Sequence, residues 1–258
     1  MNKGLSEDQI KRDVCDIGRR MYMNGFVAAN DGNISVKIND NEIITTPTGV
    51  SKGFMTPEML CNIDLDGNVI RGNTKPSSEI KMHLRVYQEN PEIKAVTHSH
   101  SPYATAFAIA RTPLDKALLP EAIVNLGSVP VAEYATPGTN DVSESIAEFV
   151  MDYNCVLLAN HGAVTWGTDL MQAYFRMETL EYYAKILFIT TMLGNAKELS
   201  CNDISSLLQI RQKQGITTGG VPAKCNDVQN SLDAQQSSQE DLLVQRVTDA
   251  VLKKLTDI

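Results

Sequence analysis

From Ser77 onward the chain alternates between two periodicities, and that alternation limits its fold more than any other feature. Apolar residues recur at helical spacing from Ser77 to about Glu89, and "AVTHSH" then has the length and β-branching of a buried strand. A short helix is expected from near Pro102, a strand at "VPVAEY", a helix from about Ser143 to Met151 and an apolar strand at "CVLLA". The return strand "AVTWG" and a long helix from about Asp169 to Leu193 complete the series. Elements in this order predict an α/β fold whose central sheet is covered by helices. Upstream of Ser77, an N-terminal helix is expected. Ser6 and Gln9 stand at capping-box spacing, Leu5 and Ile10 at staple spacing, and Ile10, Val14, Ile17 and Met21 make one stripe that ends near Gly25. "NISVKI" and "EIITT" read as a hairpin turned by Asn39 and Asp40, and Asp66-Gly67 marks a second hairpin.

At 258 residues and 43% hydrophobic content, the chain is long enough for one full core with a segment left over. Residues 1–214 read as that domain. Residues 215–239 are rich in Gly, Ser, Gln and Asn, which predicts a flexible linker. In 240–258, Leu243, Val247, Val251 and Leu255 repeat every four residues, and Leu242, Val244 and Leu252 widen the stripe into an amphipathic helix. Alone in water such a helix is marginal, so it is expected to dock on its own domain, on a second copy or elsewhere.

A formal net charge of −8 leaves no basic stripe for phosphate backbones, which excludes a general binder of nucleic acid or anionic membrane. No run approaches the ~20 apolar residues that span a bilayer, and "MNKGLSEDQI" lacks the apolar stretch of an export signal. Five widely spaced cysteines without a CxxC pair read as reduced thiols in a cytoplasmic protein.

Only four histidines occur in the chain, and two of them, His98 and His100, stand two positions apart at the end of an apolar run. Residues two apart on a strand share a face, so both imidazoles can reach one point, as metal ligands must. Catalytic zinc takes three protein ligands and an open position. His161, which follows the strand "CVLLA", is the best third ligand, because side chains at strand ends collect in functional sites. His83 lies four residues after Glu79, either supporting it or packing as an ordinary core histidine. In "PSSE", Ser77 and Ser78 offer hydroxyls beside backbone N–H groups at a helix start, an arrangement that suits an anion. Thr48-Gly49 in "PTG" and Asn33 in "DGNIS" add loop donors, although each also suits a plain turn.

In this order, "DGNIS", "TPTG", "PSSE", "THSHSPYA", "YATPGT" and "ANHGAV" resemble the class II aldolase/adducin family over roughly residues 5–214. The resemblance implies a single three-layer α/β/α domain with a mainly antiparallel central sheet, and a homotetramer with active sites between subunits. It implies one Zn2+ per subunit, held by His98, His100, His161 and Glu79, with Glu79 also serving as acid/base. Asn33, Thr48, Gly49, Ser77 and Ser78 match phosphate-binding positions. The implied reaction is a metal-dependent aldehyde-lyase cleavage of a phosphorylated small sugar. L-fuculose 1-phosphate is the preferred substrate, giving dihydroxyacetone phosphate and L-lactaldehyde. Family aldolases carry a tyrosine before the "YAT" strand, whereas "KALLPEAIVNLG" has none, and Glu121 matches a glutamate of dehydratase-like relatives. Glu rather than Asp after Ser77-Ser78 points away from the family's 4-epimerases. A dehydratase of methylthioribulose phosphate and a metal-free adducin-like interaction module are the alternatives. The linker and terminal helix resemble the encapsulation peptides that bind shell proteins, which implies the lumen of a bacterial microcompartment.

Overall fold

The computed structural model describes residues 6–225. The expected N-terminal helix is α1 (Glu7–Met23), which buries Ile10, Val14, Ile17 and Met21. Only half of its capping box forms. Ser6 Oγ accepts from Gln9 N at 3.2 Å, but the Gln9 side chain turns to Asp13 and Arg12 instead of reaching back. Leu5 lies outside the described residues.

Both expected hairpins form, as β1 (Asn33–Asn39) with β2 (Glu42–Thr45) and β3 (Cys61–Ile63) with β4 (Val69–Arg71). The alternating part supplies α2 (Ile80–Glu89), β5 (Ala95–Ser99), α3 (Pro102–Ile109), α4 (Pro120–Asn125) and β6 (Val131–Ala132). It continues through α5 (Asn140–Ala147), β7 (Cys155–Leu158), β8 (Gly162–Gly167), α6 (Leu170–Leu193) and α7 (Cys201–Lys213). α5 starts before Ser143, at Asn140, and stops before Met151, at Ala147.

The strands make one sheet in the order β4-β3-β2-β1-β5-β8-β7-β6, antiparallel except for the parallel pair β6–β7. Period-2 alternation sorts each strand's side chains into two cores. Ile44, Ala95, Cys155 and Leu157 face one core with α1, α3 and α6. Ile43, Val96, Val156 and Leu158 face the other with α2 and α5. The α/β/α layering expected from the sequence is therefore present. No helix among the described residues is long and apolar enough to cross a membrane.

Two expectations for the C-terminal part need correction. Residues 216–222 pack on the domain. Asn154 Nδ2 donates to Thr218 O at 3.2 Å, Ser128 N donates to Gly219 O at 2.7 Å, and Arg211 Nη2 donates to Gly220 O at 2.8 Å. Composition alone marks 215–239 as a linker, yet 216–222 use backbone groups, which composition does not report. Nor are all five cysteines reduced. Cys15, Cys61 and Cys155 are free and buried, but Cys201 and Cys225 form a disulfide with Cα atoms 5.7 Å apart. The chain folds back at Pro222 to make that pair, a return that a spacing of 24 residues does not reveal. The rest of the expected linker and the 240–258 helix lie outside the described residues.

Candidate metal centre

Strand order explains why distant residues meet. β5 lies between β1 and β8, so Asn33 is paired with His98, and Ser99 with Ala163 just beyond the β7–β8 turn. That turn carries Asn160 in the left-handed region (φ 56) and His161, whose N–H donates to Leu158 O at 2.9 Å. Gly162 follows because a Cβ there would lie 2.3 Å from Ser99 O. Gly32, before β1, meets a similar limit. Its φ is +73, and a Cβ would lie 2.6 Å from Val27 Cγ1 and 2.9 Å from His98 O.

Glu79 comes from a turn rather than a helix, since α2 begins at Ile80 and not at Ser77. Ser77 N donates to Thr46 O at 3.2 Å, and Pro47 bridges to Pro76, which keeps this stretch extended against the end of β2. The Ser77 N–H expected to face an anion is therefore already used. Its hydroxyl remains available. Ser77 Oγ accepts from Asn33 Nδ2 at 3.1 Å and from Glu79 N at 3.3 Å, which leaves its own O–H to donate.

Ligand atoms of Glu79, His98, His100 and His161 all lie within 4.8 Å of one another. His161 Nε2 is 2.8 Å from Glu79 Oε1, and His98 Nε2 is 3.4 Å from Glu79 Oε2. The donor chemistry tests whether a cation belongs here. His98 Nδ1 is 2.9 Å from Ala163 O and must donate to it, so Nε2 carries a lone pair. His100 Nδ1 faces Asp31 Oδ2 at 3.4 Å, which sets the same tautomer. Two lone pairs then face each other across 3.1 Å between His98 Nε2 and His100 Nε2. A cation between them resolves that opposition, and a carboxylate with a third imidazole completes a set suited to a divalent metal.

Burial sets the protonation. It pushes the His98 imidazole down to about 3 and also lowers His100, so both present neutral nitrogens at pH 7. For Glu79, burial favours the neutral acid, but its neighbours win and hold it below the usual carboxylate range. With His98 uncharged, we assign this to hydrogen bonds from Asn33 Nδ2, at 2.8 Å, and His161.

A cavity of about 250 Å³ opens beside the centre. Thr48, Gly49, Ser77 and Ser78 line it, as do Glu79, His100 and His161. Asn33 lines it too, but its amide donors go to Glu79 and Ser77, and its Oδ1 is buried without a partner. Glu121 is exposed at the start of α4 and does not line the cavity. His83 takes the core role. It is fully buried, with Nδ1 2.7 Å from Ser35 Oγ.

Sequence reasoning missed three residues. Asp31 orients His100, and Lys52 lines the cavity. Glu181, buried on α6, accepts from Tyr103 N at 2.9 Å and Ala104 N at 2.8 Å, fixing the start of α3 just after His100. Asp31 opens the quoted "DGNIS", but loop residues follow no period that reports what they face.

The chain is similar to known proteins in sequence and in fold. The description "Class II Aldolase and Adducin N-terminal domain" matches residues 12–188. The chain is 40% identical over 177 residues to an L-fuculose phosphate aldolase of Methanococcus maripaludis, covering 69% of this chain and 95% of that one. It is 36% identical over 209 residues to a 3-oxo-tetronate 4-phosphate decarboxylase of Pectobacterium atrosepticum, covering 78% and 94%. Among solved structures, an L-fuculose 1-phosphate aldolase superposes with a TM-score of 0.74 at 30% identity, covering 81% and 99%. Sequence and fold thus agree that the chain belongs to the class II aldolase/adducin family.

Proposed function

We propose that the protein is a metal-dependent aldehyde-lyase that splits a deoxy-ketose 1-phosphate, L-fuculose 1-phosphate by preference, into dihydroxyacetone phosphate and L-lactaldehyde. The observation that carries this reading is the convergence of Glu79, His98, His100 and His161 at one end of a cavity whose walls hold Thr48, Gly49, Ser77 and Ser78. A relative named for the phosphorylated fuculose reaction supports the substrate class.

Breaking the carbon–carbon bond requires loss of the adjacent hydroxyl proton and leaves an electron pair on the ketone half. A divalent ion at the three imidazoles, Zn2+ in this reading, supplies Lewis acidity for that negative charge. Ser77 and Ser78 hydroxyls and the Gly49 N–H orient the phosphate. Glu79, ionised at neutral pH, can take the proton from carbon in the condensation direction, and in cleavage it returns to that carbon a proton it has first taken up from solvent. No tyrosine stands in "KALLPEAIVNLG", so we assign the hydroxyl proton to Glu121, brought to the site by a neighbouring subunit.

A homotetramer fits the exposed apolar stripe along α6, where Met171, Phe175, Tyr182, Ile189 and Met192 share one face that a second copy would cover. The pattern of residues 240–258 supports docking of that segment on a microcompartment shell protein, with the reaction in the lumen. Release of a reactive aldehyde gives such confinement a chemical purpose.

Decarboxylation is the second reading. It rests on the 3-oxo-tetronate 4-phosphate decarboxylase relative and needs the same electron sink. One experiment separates the two. The metal-loaded protein is incubated with fuculose, rhamnulose and ribulose 1-phosphates and with 3-oxo-tetronate 4-phosphate. We expect dihydroxyacetone phosphate from the first, and none from His161→Ala, which should also lose its metal. Carbon dioxide from the oxo acid, with no cleavage of any ketose phosphate, would replace the aldolase reading.

A further inference from the structure

The cavity beside the histidines holds a positive charge without an ion-pair partner. Lys52 begins the turn after the Pro47–Gly49 loop, and only 1% of its surface is exposed. Its Nζ donates to Val50 O at 2.7 Å and to Asn30 O at 2.9 Å. An ammonium group has three donors, so one remains. Among the described residues no carboxylate forms an ion pair with it, and Asp31 and Glu79 act on it only at longer range. Burial lowers its pKa to about 8, against the pull of those two carboxylates. An ammonium buried without a counter-charge is costly and persists where something repays it.

What could repay it is visible in the cavity wall. Lys52 lines the same space as Thr48, Gly49, Ser77 and Ser78, all of them neutral donors. Asp31 and Glu79 line that space as well and would repel a dianion. Neutral donors orient a phosphate but add no positive charge, and a divalent ion at the histidines would offset Glu79 while leaving Asp31. A lysine acts on phosphate as a point charge, and the one beneath this wall is positioned to do so.

We propose that Lys52 is the counter-charge of the phosphate subsite, with its third N–H directed at a phosphate oxygen, directly or through one water. Its bonds to Asn30 O and Val50 O make it a strut between the loop before β1 and the loop after β2, so phosphate binding tightens both walls. This proposal rests on the phosphate reading of the cavity.

The test uses the full, metal-loaded chain with Lys52→Met and Lys52→Arg, titrated with inorganic phosphate by calorimetry. Lys52→Met should weaken phosphate binding about tenfold or more, the size of one charged hydrogen bond, while metal content stays at the parent level. KM for the ketose 1-phosphate should rise similarly with kcat little changed, the unphosphorylated ketose should be affected far less, and Lys52→Arg should recover part of the loss. Unchanged phosphate affinity in Lys52→Met, or equal losses with both ketoses, would reduce Lys52 to a structural strut and overturn the proposal. A parent protein that binds no phosphate would instead sink the phosphate reading itself. If Lys52→Met does not fold, Lys52→Gln carries the same comparison, since it keeps a donor for one carbonyl without the charge.

Discussion

Buried imidazoles make the molecule sensitive to acid, and His83 is one of them. Burial depresses His83 to about 4, and among the described residues Ser35 is its only hydrogen-bond partner. In the unfolded chain the same ring takes up a proton near pH 6.5. The unfolded state therefore binds more protons below that point, and stability falls as pH drops from about 6.5 toward 4. At pH 5 the loss from His83 alone is about 2 kcal/mol relative to pH 8. Denaturant midpoints at the two pH values should show it, and His83→Gln should shrink the difference by about that amount, leaving the share of His98 and His100, which burial also lowers. An equal drop in the variant would exclude His83 as the titrating group. What the sequence revealed at this scale depended on period. His98 and His100 were legible because spacing two on a strand fixes a shared face. Glu79 was legible through its family motif, while Asp31 and Lys52 reach the site from loops, where side-chain direction depends on turns that tertiary contacts decide.

Whole elements were easier to read than their ends. β5, β7 and β8 follow from short apolar runs, because each supplies a core on both faces, and β1 follows from alternation, with Ile34 and Val36 facing one core. The start of α2 was placed three residues early because Ser77 looks like an N-cap, whereas the contacts of Ser77 N with Thr46 and of Pro76 with Pro47 hold it extended. That difference matters chemically, since a helical Ser77–Glu79 would not lie along the end of β2. α3 shows the reverse case, a helix start fixed from another element. Both carboxylate oxygens of Glu181 accept backbone N–H groups there, so Glu181→Gln must leave one N–H facing an amide donor. The expected cost is about 1–2 kcal/mol of stability, with metal affinity reduced severalfold because His100 stands next to the loosened turn. Thermal unfolding with and without added Zn2+ measures both, and a variant that unfolds like the parent would show that α3 holds its own start.

Across the molecule, the segment after α7 closes the fold in a way that composition obscured. Arg211 on α7 donates to Gly220 O, and Gly127 and Gly219 meet so closely that a Cβ on Gly127 would lie 1.7 Å from Gly219 O. The Cys201–Cys225 bond then ties the end of that segment to the start of α7, across a sequence separation of 24. A loop of that size removes about 3 kcal/mol of entropy from the unfolded chain. Reduction should therefore lower the melting temperature by about 6–10 °C for a body of this size. Cys225→Ser should melt where the reduced parent does and should not respond to reductant. The candidate metal ligands stand on β5 and just after it, in the β7–β8 turn and in the turn before α2, whereas α7 packs on α4, so the reduced protein should bind metal as the oxidised one does. Identical melting of the oxidised and reduced forms would mean that the backbone contacts of 216–222 hold this segment without the bond. Loss of metal on reduction would instead mean that the closure reaches the centre through α4 and α6, which are packed together.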